Sequence, residues 1–181
     1  MMSPMGKPTE TRYDVIALMG ALCLFFSTLE YLIPKPIPFF RLGLANLPIL
    51  LSLSIFAPAD LFLLVMLKVI GQGLVNGTLA SYVFLFSAAG SLTSVAAMWV
   101  VHRFGGRWVT LVGVSVFGAL ASNGVQITLS VTFIFGEAAW VIAPLFLGIG
   151  VASGFVIGVV AERFRDRSKW LVKMRERYNG T

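Results

Sequence analysis

Lys68, Gln72 and Asn76 recur every fourth residue within an otherwise apolar stretch. On a helix that spacing gathers them into one stripe. An ammonium and two primary amides can hydrogen-bond a polar guest or join neighbouring helices, and the ammonium adds attraction for a carboxylate or phosphate. Asn123 and Gln126 form a second pair on one helix face, and Arg41 with Asn46 opens another apolar run. Arg41, Asn46, Lys68, Gln72, Asn76, Asn123 and Gln126 are therefore candidates for binding a substrate, with Glu30 as a counter-charge for Arg41 or Lys68. Each has a plainer reading. Lys68 could extend toward an interface, the amides could simply hold helices together, and Arg41 could be an interfacial anchor.

Covalent chemistry finds little support. The eight acids, Glu10, Asp14, Glu30, Asp60, Glu137, Glu162, Asp166 and Glu176, are scattered, with no aspartate-rich pair. Chemistry on a diphosphate usually needs clustered carboxylates to hold Mg²⁺. The single histidine, His102, has no acid or cysteine beside it, and the single cysteine, Cys23, lies inside an apolar run. No Gly-rich loop ends in Lys-Ser or Lys-Thr, so ATP use through a P-loop is excluded for this sequence. We expect no catalytic site, no metal and no cofactor here.

The elements that must position these polar groups are hydrophobic helices. Of 181 residues, 57% are hydrophobic and only 12% charged, and the mean hydropathy is +0.88. A soluble domain carries about 25% charged residues. Helix of this total length crosses a ~30 Å hydrocarbon core about nine times at most, and five to seven times once loops are subtracted. Apolar runs predict six spans, at 15–33, 42–57, 61–76, 79–101, 108–135 and 138–161. The first follows Lys7 and Arg12 like a signal peptide, but no small-x-small cleavage site follows it, so it is expected to stay as a span. The alternating prolines Pro34, Pro36 and Pro38 make a stiff loop. Asp60 is placed to cap the third span, and Asn76-Gly77-Thr78 marks a turn. The runs lack the alternation of a transmembrane barrel, so the fold is expected to be all-α.

Six spans put both termini on one side, together with Arg103, Arg107 and the seven Lys/Arg that follow Glu162. The positive-inside bias makes that side the cytoplasm. The net charge of +6 suits an anionic lipid surface and not a nucleic-acid partner. Phe164, Leu171, Met174 and Tyr178 predict an amphipathic tail helix lying along the membrane. With this topology, Lys68, Gln72, Asn76, Asn123, Gln126, Arg41 and Glu30 fall toward the outer half of the bilayer, and the inner half is nearly dry. That asymmetry predicts an outward-facing polar pocket. Gly150, Gly154 and Gly158 make a close-packing stripe inside the bundle, and Ala17 with Ala21 makes a small-xxx-small pair that serves either internal packing or another subunit.

The run Arg41-Leu42-Gly43-Leu44-Ala45-Asn46, the later Gly77-Thr78-Leu79-Ala80-Ser81, then Phe84-Leu85 and Ser87 resemble a bacterial membrane family. That family is labelled heptaprenyl diphosphate synthase component I or Gx transporter, and it is itself similar to the substrate-binding S components of energy-coupling factor (ECF) vitamin transporters. The resemblance covers about Tyr13 to Arg163. It implies a six-transmembrane-helix bundle like an S component, with a substrate site near the outer surface. It further implies a transmembrane coupling subunit that docks on Ala17 and Ala21, and two cytoplasmic ATPases. The expected organisation is a cytoplasmic segment at 1–13, an integral membrane bundle at 14–161 and a basic amphipathic tail at 162–181, in the bacterial plasma membrane. The expected function is capture of a small vitamin or precursor, with an anionic group favoured. The alternative is a non-catalytic membrane accessory of heptaprenyl (polyprenyl) diphosphate synthesis.

Overall fold

The computed structural model describes residues 11–32 and 43–179. Arg41 lies outside them, as do the Pro34–Pro38 loop and most of the N-terminal segment. Among the described residues the chain is helical, in the order α1 (Arg12–Leu32), α2 (Leu47–Ser52), α3 (Pro58–Val75), α4 (Tyr82–Gly105), α5 (Leu111–Ser130), α6 (Ala139–Arg167) and α7 (Lys169–Asn179). Four helical stretches are long and apolar enough to cross a membrane: Arg12–Glu30, Pro58–Val75, Tyr82–Gly105 and Leu111–Arg167, the last holding both α5 and α6.

Local chemistry sets the ends. Thr11 and Asp14 exchange hydrogen bonds at the start of α1: the Asp14 carboxylate accepts the Thr11 N–H and hydroxyl, each at 2.7 Å, and the Thr11 hydroxyl accepts the Asp14 N–H. Pro58 occupies the first turn of α3, where its missing N–H costs nothing. Asp60 does not cap that helix from its first position. It sits one turn in and reaches back to accept the Ala57 N–H at 3.2 Å. Asp60 also pairs with Arg12, tying the starts of α1 and α3 together. Thr110 caps α5 by accepting the Gly113 N–H at 3.2 Å. α5 leaves through a π-helical turn, Val131–Phe135, that ends at Gly136 with φ 53°.

Six helices fall within the region expected to hold six spans, but the second is not a span in length. α2 has six residues, preceded by a 3₁₀ turn at Leu44–Asn46. At 1.5–2 Å per residue, nine residues extend about 15 Å, half a hydrocarbon core. Pro48 starts α2 at its first turn, and the Ser52 hydroxyl donates back to the Pro48 carbonyl at 2.8 Å. The apolar run that reads as a span is apolar because it is interior: Pro48, Ile49, Leu50, Leu51 and Ser52 are all buried. It packs against α1, α3, α5 and α6.

Around it, α5 lies between α4 and α6, and α3 lies between α1 and α4. One core of buried side chains runs through all seven helices, including Met19, Ile49, Leu64, Met98, Val114, Ile157 and Leu171. Gly154 and Gly158 let α5 and α6 meet at backbone distance: a Cβ at Gly158 would stand 2.4 Å from the Val112 Cα, and one at Gly154 would stand 3.0 Å from the Val116 Cα. The outer faces are also apolar. Leu18, Leu22, Phe25 and Leu29 on α1, and Leu63, Leu67, Ile70 and Leu74 on α3, are exposed. A soluble bundle would show polar residues at these positions, whereas lipid has no quarrel with them.

The C-terminal end departs from the expected continuous face that joins Phe164 to Leu171, Met174 and Tyr178. α6 continues to Arg167 and stops at Ser168, whose backbone is extended and whose hydroxyl accepts the Leu171 N–H at 3.3 Å. That break ends the helical register between Phe164 and Leu171. Phe164 stays exposed on α6, while α7 turns Leu171 and Met174 into the main core.

Candidate functional site

The site begins with Lys68, an ammonium on a side chain only 3% exposed. Such a charge persists in a helix bundle only when hydrogen-bonded or paired. Its Nζ donates to Asn46 Oδ1 at 2.5 Å and to Ser91 Oγ at 3.4 Å. Asn46 comes from the 3₁₀ turn ahead of α2, and Ser91 from α4, so one cation gathers three elements.

Glu30 holds the Asn46 turn in place. Its Oε1 accepts the Gly43 N–H at 3.2 Å and its Oε2 the Leu44 N–H at 3.1 Å. Gly43 has φ 80°, a conformation that disfavours any side chain. The carboxylate at the end of α1 thus serves a turn fourteen residues later, a role that spacing alone does not suggest.

Across the cavity, α5 supplies two amides, and a glycine opposite each admits it. Asn123 Nδ2 donates to the Phe146 carbonyl of α6 at 2.8 Å. A Cβ at Gly150 would lie 2.1 Å from that nitrogen. Gln126 Nε2 donates to Ser122 Oγ at 3.2 Å. A Cβ at Gly90 on α4 would lie 2.5 Å from the Gln126 nitrogen. The glycine stripe therefore has two functions: Gly154 and Gly158 bring backbones together, and Gly150 makes room for a polar group.

These groups surround one cavity. Asn46, Lys68, Gln72, Asn76, Asn123 and Gln126 all line it, joined by Ser27 and Glu30 of α1, Ser87 and Ser91 of α4, and Ser122 and Ser153 of α5 and α6. Six of the seven residues singled out from sequence thus meet at one place. The seventh, Arg41, lies outside the described residues. Ala17 and Ala21 are elsewhere, exposed on the outer face of α1, while the adjacent Gly20 is buried against Leu67. The small hydroxyls could not be singled out beforehand. A serine within an apolar helix can satisfy itself on its own backbone, so its presence carries little signal.

The cavity's open space is about 80 Å³, well above the roughly 10–15 Å³ needed to hold a water. Four buried oxygens of residues that line it have no hydrogen-bond partner among the described residues: Ser27 Oγ, Gln72 Oε1, Ser87 Oγ and Gln126 Oε1. Left without water or ligand, each such atom costs about 1–3 kcal/mol. The walls offer two amide acceptors, two hydroxyls and an ammonium, a set suited to binding. Among the described residues no three His, Cys, Asp or Glu side chains cluster as a metal site would require. Buried polar groups at the opposite end are sparse hydroxyls, such as Ser52 and Ser115.

Residues 19–164 match the family of heptaprenyl diphosphate synthase component I. The chain belongs to that family. No curated protein and no solved structure matches it. The family match runs from α1 into α6 and takes in every cavity-lining residue named above, while α7 lies beyond it. In this component I chain, the shared region therefore coincides with the polar cavity and the helices that build it.

Proposed function

We propose that this component I chain is a substrate-binding membrane subunit, and that its polar cavity takes a small molecule bearing N–H or O–H donors and one anionic group. The observation that carries the reading is the set of unpartnered buried oxygens on a wall that also holds Lys68. Donors on the ligand would satisfy the Gln72 and Gln126 carbonyls, and its anion would face the Lys68 ammonium. A vitamin or precursor is the ligand that the resemblance to the S components of ECF transporters implies. In that assembly Ala17 and Ala21, exposed on α1, would dock on a transmembrane coupling subunit served by two cytoplasmic ATPases. The bundle at 14–161 would sit in the bacterial plasma membrane, with both termini and the basic segment at 162–181 in the cytoplasm.

The family description favours a second reading, in which the chain is a non-catalytic membrane component of heptaprenyl diphosphate synthesis and works with another component. Lys68, with Arg41, would then steady a diphosphate. The polar wall fits the head of such a molecule and not its isoprenoid tail.

A pull-down from native membranes separates the two. Recovery of a membrane coupling protein with ATPases supports capture for uptake, and recovery of a prenyl synthase subunit supports the second reading. Small molecules that co-purify in mild detergent, identified by mass spectrometry, should be lost from Lys68→Met at least tenfold while the protein still inserts. Equal retention by Lys68→Met would refute the placement of the site.

A further inference from the structure

At the end of the bundle opposite the polar cavity, two depressions adjoin. One is a basin of about 460 Å³ between the α2–α3 turn, the end of α4 and α7, with His102, Arg103 and Arg175 on its wall. The other is a groove of about 170 Å³ between α3 and α4, lined by Leu61, Phe62, Val65, Leu92 and Val95. Pro58 and Trp99 belong to both, so basin and groove adjoin at these two residues.

We propose that they form one site for an anionic phospholipid, with its phosphate in the basin and one acyl chain along the groove. Charge complementarity argues for the head. Arg103 and Arg175 are exposed, they come from elements about seventy residues apart, and among the described residues no acid lines the basin. Glu176 follows Arg175 directly but is not among the described residues that line the basin, and Asp60, two residues from Pro58, is engaged by Arg12 and the Ala57 N–H. Arginine presents several N–H donors in a fork that matches phosphate oxygens. A basic pocket between helices at the cytoplasmic face is the usual setting for an anionic headgroup.

The groove argues for a tail. It runs about 10 Å along α3 from Pro58 to Val65 and opens on the flank where Phe62 and Leu92 are exposed. In a bilayer a chain there gains little from leaving other lipid tails, which are equally apolar. Affinity therefore rests on the basin, and the groove sets the pose. The site is independent of the Lys68 cavity and of its ligand.

The test is native mass spectrometry of the full chain released from mixed vesicles of phosphatidylglycerol and phosphatidylcholine, with inorganic diphosphate and farnesyl diphosphate as competitors. The expected result is selective phosphatidylglycerol adducts, reduced at least fivefold in Arg103→Gln/Arg175→Gln and unchanged in Lys68→Met. Ala96→Phe, which fills the groove from α4, should reduce the lipid adduct by denying the acyl chain its place beside the seated phosphate. Since the two arginines are exposed, their replacement should leave the thermal midpoint near wild type. Equal retention of both lipids, or adducts indifferent to the double arginine variant, would overturn the proposal. Displacement of phosphatidylglycerol by farnesyl diphosphate at equal concentration would overturn it in favour of a prenyl diphosphate, and displacement by inorganic diphosphate alone would reduce the site to a phosphate basin.

Discussion

Replacing Gly150 by alanine tests how the cavity wall is built. The three heavy atoms nearest to an added Cβ all belong to Asn123, with Nδ2 at 2.1 Å and Cγ at 3.2 Å. The amide must swing out and give up its 2.8 Å bond to the Phe146 carbonyl. A buried amide left without its partner costs about 1–3 kcal/mol. Against this, glycine to alanine within a helix gains about 0.5–1 kcal/mol. The net loss expected for Gly150→Ala is therefore about 0–2.5 kcal/mol. In an Asn123→Ala background the obstructing amide is gone, and the same substitution should be neutral or stabilising. The sign change is a coupling of about 1–3 kcal/mol between contacting residues. At roughly 2–4 °C per kcal/mol for a chain of this size, thermal unfolding of the four proteins in mild detergent resolves it. If Gly150→Ala lowers the midpoint equally in both backgrounds, Asn123 does not occupy the space the glycine provides.

Other outcomes follow from the same geometry. Glu30→Gln keeps one acceptor for the Gly43 and Leu44 N–H groups and turns a donor toward the other, so a loss of about 1–3 kcal/mol is expected in the same thermal assay; an unchanged midpoint would show that the turn needs no clamp. Gly158→Ala should destabilise more than Gly154→Ala, because its Cβ meets the Val112 backbone at 2.4 Å where the other meets Val116 at 3.0 Å. The reverse order, read from the two midpoints, would contradict the close α5–α6 crossing.

Much of the site could be read from spacing because polar residues in apolar helices are rare and each needs a reason. Lys68, Gln72 and Asn76 share a face by periodicity alone, and α5 brings Asn123 and Gln126 to the same end. What could not be read was reach. Glu30 reads from sequence as a partner for a cation, and nothing in its spacing signals that its oxygens also accept two backbone N–H groups across a turn. The stretch at 42–57 has the composition of a span because burial in protein and burial in lipid select the same side chains; only the short length of α2 distinguishes them. Phe164 and Leu171 fall on one face of an unbroken helix, yet Ser168 breaks it, and a serine carries no such signal by itself.

The docking of α7 has a practical consequence for anyone trimming this protein. The family match stops at residue 164, which makes that position a tempting place to cut. Leu171 and Met174, 4% and 3% exposed, would leave with the discarded piece, at roughly 1.5–3 kcal/mol for each. Phe56, whose ring meets the edge of Tyr178, would lose its cover at the base of the bundle. A shortened version is therefore a damaged fold and not a minimal one, and any trimming should leave α7 in place.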